Sequence, residues 1–104
     1  MEVIFLGTGT SGGVPLIGCQ CEVCKSTNPK DKRLRSSILL RTATHNIVID
    51  CGPDFRQQML REDVRALDAL VMTHAHKDHT GGIDDIRAFN FIQQKPVAIY
   101  CDYA

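Results

Sequence analysis

Six residues constrain this chain more than any others. Directly behind the apolar run Asp68–Thr73 (DALVMT) come His74, Ala75, His76, Lys77, Asp78 and His79. A short apolar run bounded by polar residues reads as a buried strand. Three imidazoles and a carboxylate at its end are a costly set of groups to bring together without a purpose. Imidazole and carboxylate are ligands suited to Zn²⁺, Mn²⁺ or Fe. In an extended stretch, residues two apart point the same way, so His74 and His76 are placed to grip one ion. Asp78 and His79 follow once the chain bends and are placed to hold a second. Two ions roughly 3.5–4 Å apart form a clamp for hydrolysis, one activating a water and the other steadying the developing charge. The C-terminal end of a strand is also where α/β proteins keep their chemistry. The opposing interpretation, a solvated His-rich turn, leaves the density of ligands unexplained.

The rest of the chain reads as mixed α/β. Glu2–Leu6 (EVIFL) is a short strand that stops at Gly7. The stretch GTGTSGGVPLIG, residues 7–18, holds five glycines and one proline and must turn tightly. It is not a P-loop, because no G-K-[ST] follows; its expected part is to pass the backbone close beside the metal site. Lys25–Arg35 carries five basic residues against one acid and reads as a surface loop. Its Lys25, Lys30, Lys32, Arg33 and Arg35 are either solvated or in contact with a phosphate-bearing substrate. Ser36–Thr42 and Asn46–Asp50 are rich in Ile, Leu and Val, and the short link between them predicts an antiparallel hairpin. Asp54 is placed to N-cap a helix over Phe55–Arg61 with Phe55, Met59 and Leu60 inward. A helical turn is expected near Val64–Leu67. A second helix is expected over Ile83–Gln93 with Ile83, Ile86, Phe89 and Ile92 as its apolar stripe. Pro96 ends it, and Val97–Cys101 is a last strand.

Three of the five cysteines, Cys19, Cys21 and Cys24, fall in a C-x-C-x-x-C cluster. No secretory signal precedes them, so the cluster reads as metal binding before crosslinking, and thiolates favour closed tetrahedral Zn²⁺. A fourth ligand has to come from elsewhere; His45, in the hairpin link, is a weak candidate. Cys51 and Cys101 read as ordinary buried thiols. Lys plus Arg number 12 and Asp plus Glu number 12. That balance argues against a basic nucleic-acid glove and an acidic disordered tail. No apolar run approaches the roughly 20 residues of a membrane span. The expectation is a cytoplasmic protein with no membrane partner. With 104 residues it is one domain at most, and too short to bury a large core on its own.

The stretch Leu70–Gly82, with Thr73, H-x-H-x-D-H and the Thr80-Gly81-Gly82 continuation, resembles the metallo-β-lactamase superfamily of metal-dependent hydrolases. The resemblance implies that His74 and His76 belong to a first metal site, and Asp78 and His79 to a second. It also implies a supporting Asp at the end of an earlier strand, a slot that Asp50 matches. Asp78 and Asp50 are thereby the candidate catalytic carboxylates. Gly7–Pro15 followed by Gly18–Cys24, with Lys32–Ser37 ahead of the second strand, is similar to a subgroup that includes the phosphoribosyl cyclic phosphodiesterases (PhnP-like). There the three Cys bind one structural Zn, with a distant His as the fourth ligand.

The resemblance implies two catalytic divalent ions (Zn or Mn) and a phosphodiesterase acting on a small cyclic phosphate or nucleotide-like ester. Ribonuclease Z-type tRNA processing and a pyrroloquinoline quinone biosynthesis-type role are the alternatives inside the fold. Nucleic acid is therefore an admissible but unfavoured partner; hydrolysis of thioesters or β-lactams ranks lower. A non-catalytic metal-binding module is the alternative outside enzymes. The family fold is a four-layer αβ/βα sandwich of two halves, about twice this length. Residues 1–104 correspond to the first half only, a mixed sheet with helices on one face, with the knuckle and basic loop (19–35) inserted between strands 1 and 2. The remaining ligands are expected downstream, since Asp84, Asp85 and Asp102 do not substitute for them. The expectation is thus an inactive N-terminal piece with a bare apolar sheet face, which the missing C-terminal half or a second copy of the chain would cover.

Overall fold

The alternation of short Ile/Leu/Val runs with turn residues yields five strands, and the segments between the later ones are long enough to cross over as helices. The computed structural model describes residues 1–102. The last two positions of the expected 1–104 domain lie outside the described residues. The strands are β1 (Glu2–Gly7), β2 (Ser37–Arg41), β3 (Asn46–Ile49), β4 (Ala69–Val71) and β5 (Ala98–Tyr100). They form one sheet in sequence order. The β1–β2 and β2–β3 pairs are antiparallel, while β3–β4 and β4–β5 are parallel. The β3–β4 crossover carries α1 (Phe55–Arg61). The β4–β5 crossover carries α2 (Lys77–Thr80), a 3₁₀ turn (Ile83–Ile86) and α3 (Arg87–Gln93). The helices lie on one face, and the molecule is the mixed α/β layer expected for one half of an αβ/βα sandwich.

Strand alternation divides the sheet into two apolar faces. Leu39, Val48 and Leu70 share one register row and are fully buried, with Leu6, Phe55, Met59, Leu67, Ile86 and Phe89 completing the core. Phe55 and Phe89 meet edge to face at 6.2 Å between centroids, joining α1 to α3. The opposite face carries two more rows: Val3, Leu40, Ile47, Ala69 and Ala98, then Phe5, Ile38, Ile49, Val71 and Tyr100. All ten are apolar or aromatic, and none is buried. Phe5 is 65% exposed and Tyr100 60%. A strand greasy on both sides is one that fits between two layers.

Several local expectations are corrected. Residues 64–68 form no helical turn. The Gln93 side chain brackets Leu67, accepting from its N–H at 3.1 Å and donating to its carbonyl at 2.9 Å, which holds the segment extended. Leu60 points out of α1, 63% exposed. The helix over 83–93 begins as a 3₁₀ turn and continues as an α-helix, in which residues three apart drift around the axis; Ile86 and Phe89 are buried, while Ile83 and Ile92 are exposed. Cys101 is exposed, unlike the buried Cys51. Asp54 makes no side-chain cap. Its carboxylate instead accepts from the Arg35 N–H (2.9 Å), the Arg35 guanidinium (3.0 Å) and Gln57 (3.2 Å), tying the loop to α1. The glycine run makes its close approach to Arg33, Leu34 and Arg35, with Gly9 N–H on the Leu34 carbonyl at 2.7 Å, rather than to the His cluster.

Candidate metal centre

The site grows from the C-terminal ends of the adjacent parallel strands β3 and β4, where an α/β sheet opens a crevice. Asp50 follows β3 and is 5% exposed. Its backbone is left-handed, φ 65°. That conformation disfavours most L-residues, but Asp tolerates it better than most. Here it turns the carboxylate sideways, under the end of β4. Oδ1 accepts the Thr73 N–H at 2.8 Å, and Oδ2 accepts the Thr73 hydroxyl at 2.7 Å. Oδ2 also lies 2.7 Å from His79 Nδ1. Burial alone would push the Asp50 carboxyl up. The Thr73 N–H and hydroxyl and the neighbouring His79 outweigh that and hold it below its ordinary 3.8.

Two glycines let the pieces meet. A Cβ on Gly52 would collide with the Asp78 carbonyl, and one on Gly82 with the Gly52 carbonyl and Phe55 Cβ. Their absence lets the 50–53 turn and the 78–82 segment lie backbone to backbone. Cys51 N–H donates to the His79 carbonyl and Gly82 N–H to the Cys51 carbonyl, both at 2.9 Å. The two loops that carry Asp50 and His79 are thus joined without a side chain between them.

His74 lies three residues past the end of β4 and has its Nδ1 2.8 Å from the Thr73 hydroxyl. His76 is the N-cap of α2 and meets the His74 ring edge-on, 4.7 Å between centroids. The single turn of α2 then folds Asp78 and His79 back over His74. The His74 and His79 rings are 4.1 Å apart at 49°. Asp78 Oδ2 lies 3.0 Å from His79 Nε2. Asp50, His74 and His79 offer ligand atoms within 4.8 Å of one another. The structure thus gathers His74 and His79 with Asp50, while His76 and Asp78 stand beside this group, each against one of its rings. The sequence signal for α2 was the Thr80-Gly81-Gly82 turn, which lies only one residue past His79. Beside the cluster lies a cleft of about 410 Å³ with largely apolar walls, including Met72, Ile83, Ile99 and Cys101.

Cys19, Cys21 and Cys24 form a second cluster on the loop between β1 and β2. Their Sγ atoms also fall within 4.8 Å of one another. The Leu16 N–H points at Cys24 Sγ and the Cys24 N–H at Cys21 Sγ, each at 3.4 Å. The Cys24 amide is the main reason that the Cys21 thiol is lowered to about 7, with hydrogen bonds from the Cys19 and Cys24 side chains adding to it. At Cys24 the Leu16 amide pulls the other way, but the adjoining Cys19 thiol and burial leave it raised. Cys51 stands apart: burial, with the charges of Asp85 and Asp50, pushes its thiol up to about 12. His45 stays in the hairpin turn, its Nδ1 2.7 Å from the Thr44 hydroxyl, and is not part of the thiol cluster. The basic loop is largely spent on structure. Lys32 donates to the Ser26 carbonyl, Arg33 to Thr8, and Arg35 to the Ser11 carbonyl and Asp54. Among the described residues no helix is long and apolar enough to cross a membrane.

Comparison with known proteins agrees with this construction. A crystal structure described as a new diphosphatase from the PhnP family superposes with a TM-score of 0.86 at 47% identity, covering 89% of this chain and 37% of that one. A protein named octanoyltransferase from Porphyromonas gingivalis is 48% identical over 103 residues, 98% of this chain and 20% of its own length. Coenzyme PQQ synthesis protein B from Methylorubrum extorquens is 29% identical over 96% of this chain and 36% of its own length. The chain thus spans well under half the length of each of these relatives. The sequence model of the beta-lactamase superfamily domain matches residues 45–104, which include Asp50 and the whole His74–His79 cluster. By fold, by cluster and by this match, the chain belongs to the metallo-β-lactamase superfamily.

Proposed function

We propose that residues 1–104 form the N-terminal half of a metal-dependent phosphodiesterase that acts on a small cyclic phosphate or nucleotide-like ester. The observation that supports it best is the Asp50 network, in which one buried carboxylate reaches His79 directly and His74 through Thr73. A carboxylate behind an imidazole nitrogen fixes the ring and leaves the other nitrogen as a ligand, the usual construction of a metal site. The donor set fits a divalent ion: imidazoles and a carboxylate crowd into one short segment, with Asp78 3.0 Å from His79 and the His74 and His79 rings 4.1 Å apart. His74, His76, Asp78 and His79 would share two such ions, Zn or Mn, with ligands supplied by the rest of the protein. Bound there, divalent ions supply Lewis acidity and an acidified water for attack on phosphorus.

The chain's own residues prepare that chemistry. Asp50 orients: its two oxygens accept from the Thr73 N–H and hydroxyl and reach His79. Asp78, 3.0 Å from His79 Nε2, would be the carboxylate that ligates and takes a proton from the reacting water. The apolar cleft beside the cluster offers room for the non-reacting part of a substrate. The likeness to a PhnP-family diphosphatase favours a phosphate ester over other substrates. The transferase name belongs to a protein of which this chain covers only a fifth, and it has no counterpart in the cluster. The thiol cluster fits one structural Zn, its three sulfurs close together and two of them facing backbone amides.

The test is hydrolysis of bis(p-nitrophenyl) phosphate by the intact protein with added Mn²⁺ or Zn²⁺. Metal-dependent turnover that disappears in His76→Ala is the expected result. Metal binding without turnover would instead leave a non-catalytic module.

A further inference from the structure

The hydroxyl of Thr73 sits between two functional groups at once. Its oxygen is 2.7 Å from Asp50 Oδ2 and 2.8 Å from His74 Nδ1. A hydroxyl has one hydrogen to give and two lone pairs to receive with. An ionised carboxylate only accepts. The Thr73 hydrogen is therefore committed to Asp50, and a lone pair of the same oxygen faces the imidazole. The favourable partner for that lone pair is an Nδ1–H. Thr73 is itself held in place, because its own backbone N–H donates to Asp50 Oδ1 at 2.8 Å. The side chain is thus pinned at both ends of a two-point contact and cannot rotate its hydroxyl away without breaking it.

We propose that Thr73 is a positioning residue that relays the hydrogen-bond demand of Asp50 to His74, fixing the proton of that imidazole on Nδ1 and leaving Nε2 as the ligand nitrogen. One carboxylate then sets two histidines, His79 by direct contact at 2.7 Å and His74 through one intervening oxygen. The relay explains why a β-hydroxy residue stands at the strand end. A Val there would fill the same space and keep the backbone contact but offer His74 nothing. The role for metal binding rests on the hydrolase reading above, while the tautomer itself does not.

The experiment is ¹⁵N–¹H NMR of the intact protein labelled at histidine, freed of metal and held at about pH 8.5, where an ordinary imidazole is neutral. His74 is expected as the Nδ1–H tautomer in the wild type. Thr73→Val should shift it toward Nε2–H, and Thr73→Ser should restore it. A zinc titration read at the His74 resonance should show binding about 10- to 100-fold weaker in Thr73→Val, with Thr73→Ser near wild type. A wild-type His74 found as Nε2–H overturns the relay, and this reading needs no variant to fold. A tautomer and a zinc affinity both unmoved by Thr73→Val overturn it as well. Failure of the wild type to bind zinc at the cluster would sink the metal reading instead, with the relay still judged by the tautomer.

Discussion

The two ligand clusters are built on opposite principles. The His/Asp cluster stands on the sheet: its supports are a buried carboxylate, a strand end and two glycine-to-backbone contacts. The thiol cluster stands on a loop, at residues that are half-buried or exposed, and its local supports are two N–H to sulfur contacts. The first is preorganised by the core and should keep its shape without an ion. The second has few such supports and would depend more on an ion to keep its shape. The lesson is that ligand geometry alone does not say whether a metal serves the fold or the fold serves the metal; the supports behind the ligands do.

The sharpest way to break that contrast is at Asp50. Asp50→Ala leaves the Thr73 N–H, the Thr73 hydroxyl and His79 Nδ1 without their acceptor. Stability should fall by about 1–3 kcal/mol, and metal affinity at the His cluster by about 10- to 100-fold, while the thiol cluster keeps its zinc. Denaturant unfolding and metal analysis read both. Asp50→Asn refines the result through pH. The folded carboxyl binds its proton more weakly than the unfolded one at 3.8, so its contribution is present above that value and is lost as pH falls through the lower native one. The Asn variant should lose that acid-side dependence.

Gly82→Ala comes next. Its Cβ meets the Gly52 carbonyl and Phe55, so the 78–82 segment must move away from Asp50 at a cost of about 1–3 kcal/mol. An unchanged thermal midpoint with unchanged metal affinity would show that the two loops are less tightly joined than the contacts indicate. Cys21→Ser is the mirror experiment. It should release one equivalent of zinc and make the 8–36 loop susceptible to protease, without disturbing the His74 and His79 resonances. The smallest effect is chemical. In metal-free protein Cys21 should react with iodoacetamide with a midpoint near pH 7 and be protected by zinc, while Cys51, buried and raised to about 12, stays inert.

Much of this was legible in residue patterns. Helix α1 begins and ends where Gly52-Pro53-Asp54 and Arg61 place it, because a proline-glycine break and an apolar pair four residues apart are local signals. The hairpin β2–β3 follows from two Ile/Leu/Val runs and a short link. The three cysteines and the His74–His79 stretch are each contiguous in sequence, so their chemistry could be read from spacing. What could not be read depends on contacts between distant residues. The Arg35–Asp54 tie and the Gln93 clamp on Leu67 have partners 19 and 26 residues apart. The left-handed Asp50 and the hydroxyl bridge of Thr73 leave no periodic trace. The stripe through Ile83 and Ile92 fails for a local reason instead: at 3.6 residues per turn, positions three apart drift around the α-helix axis.

The uncovered face of the sheet bears on how such a polypeptide is made. Its helical side closes with segments that lie between its own strands, so it can collapse as soon as those strands leave the ribosome. Two rows of five apolar side chains on the reverse stay wet until another layer arrives. Residues 1–104 expressed by themselves should accumulate in inclusion bodies.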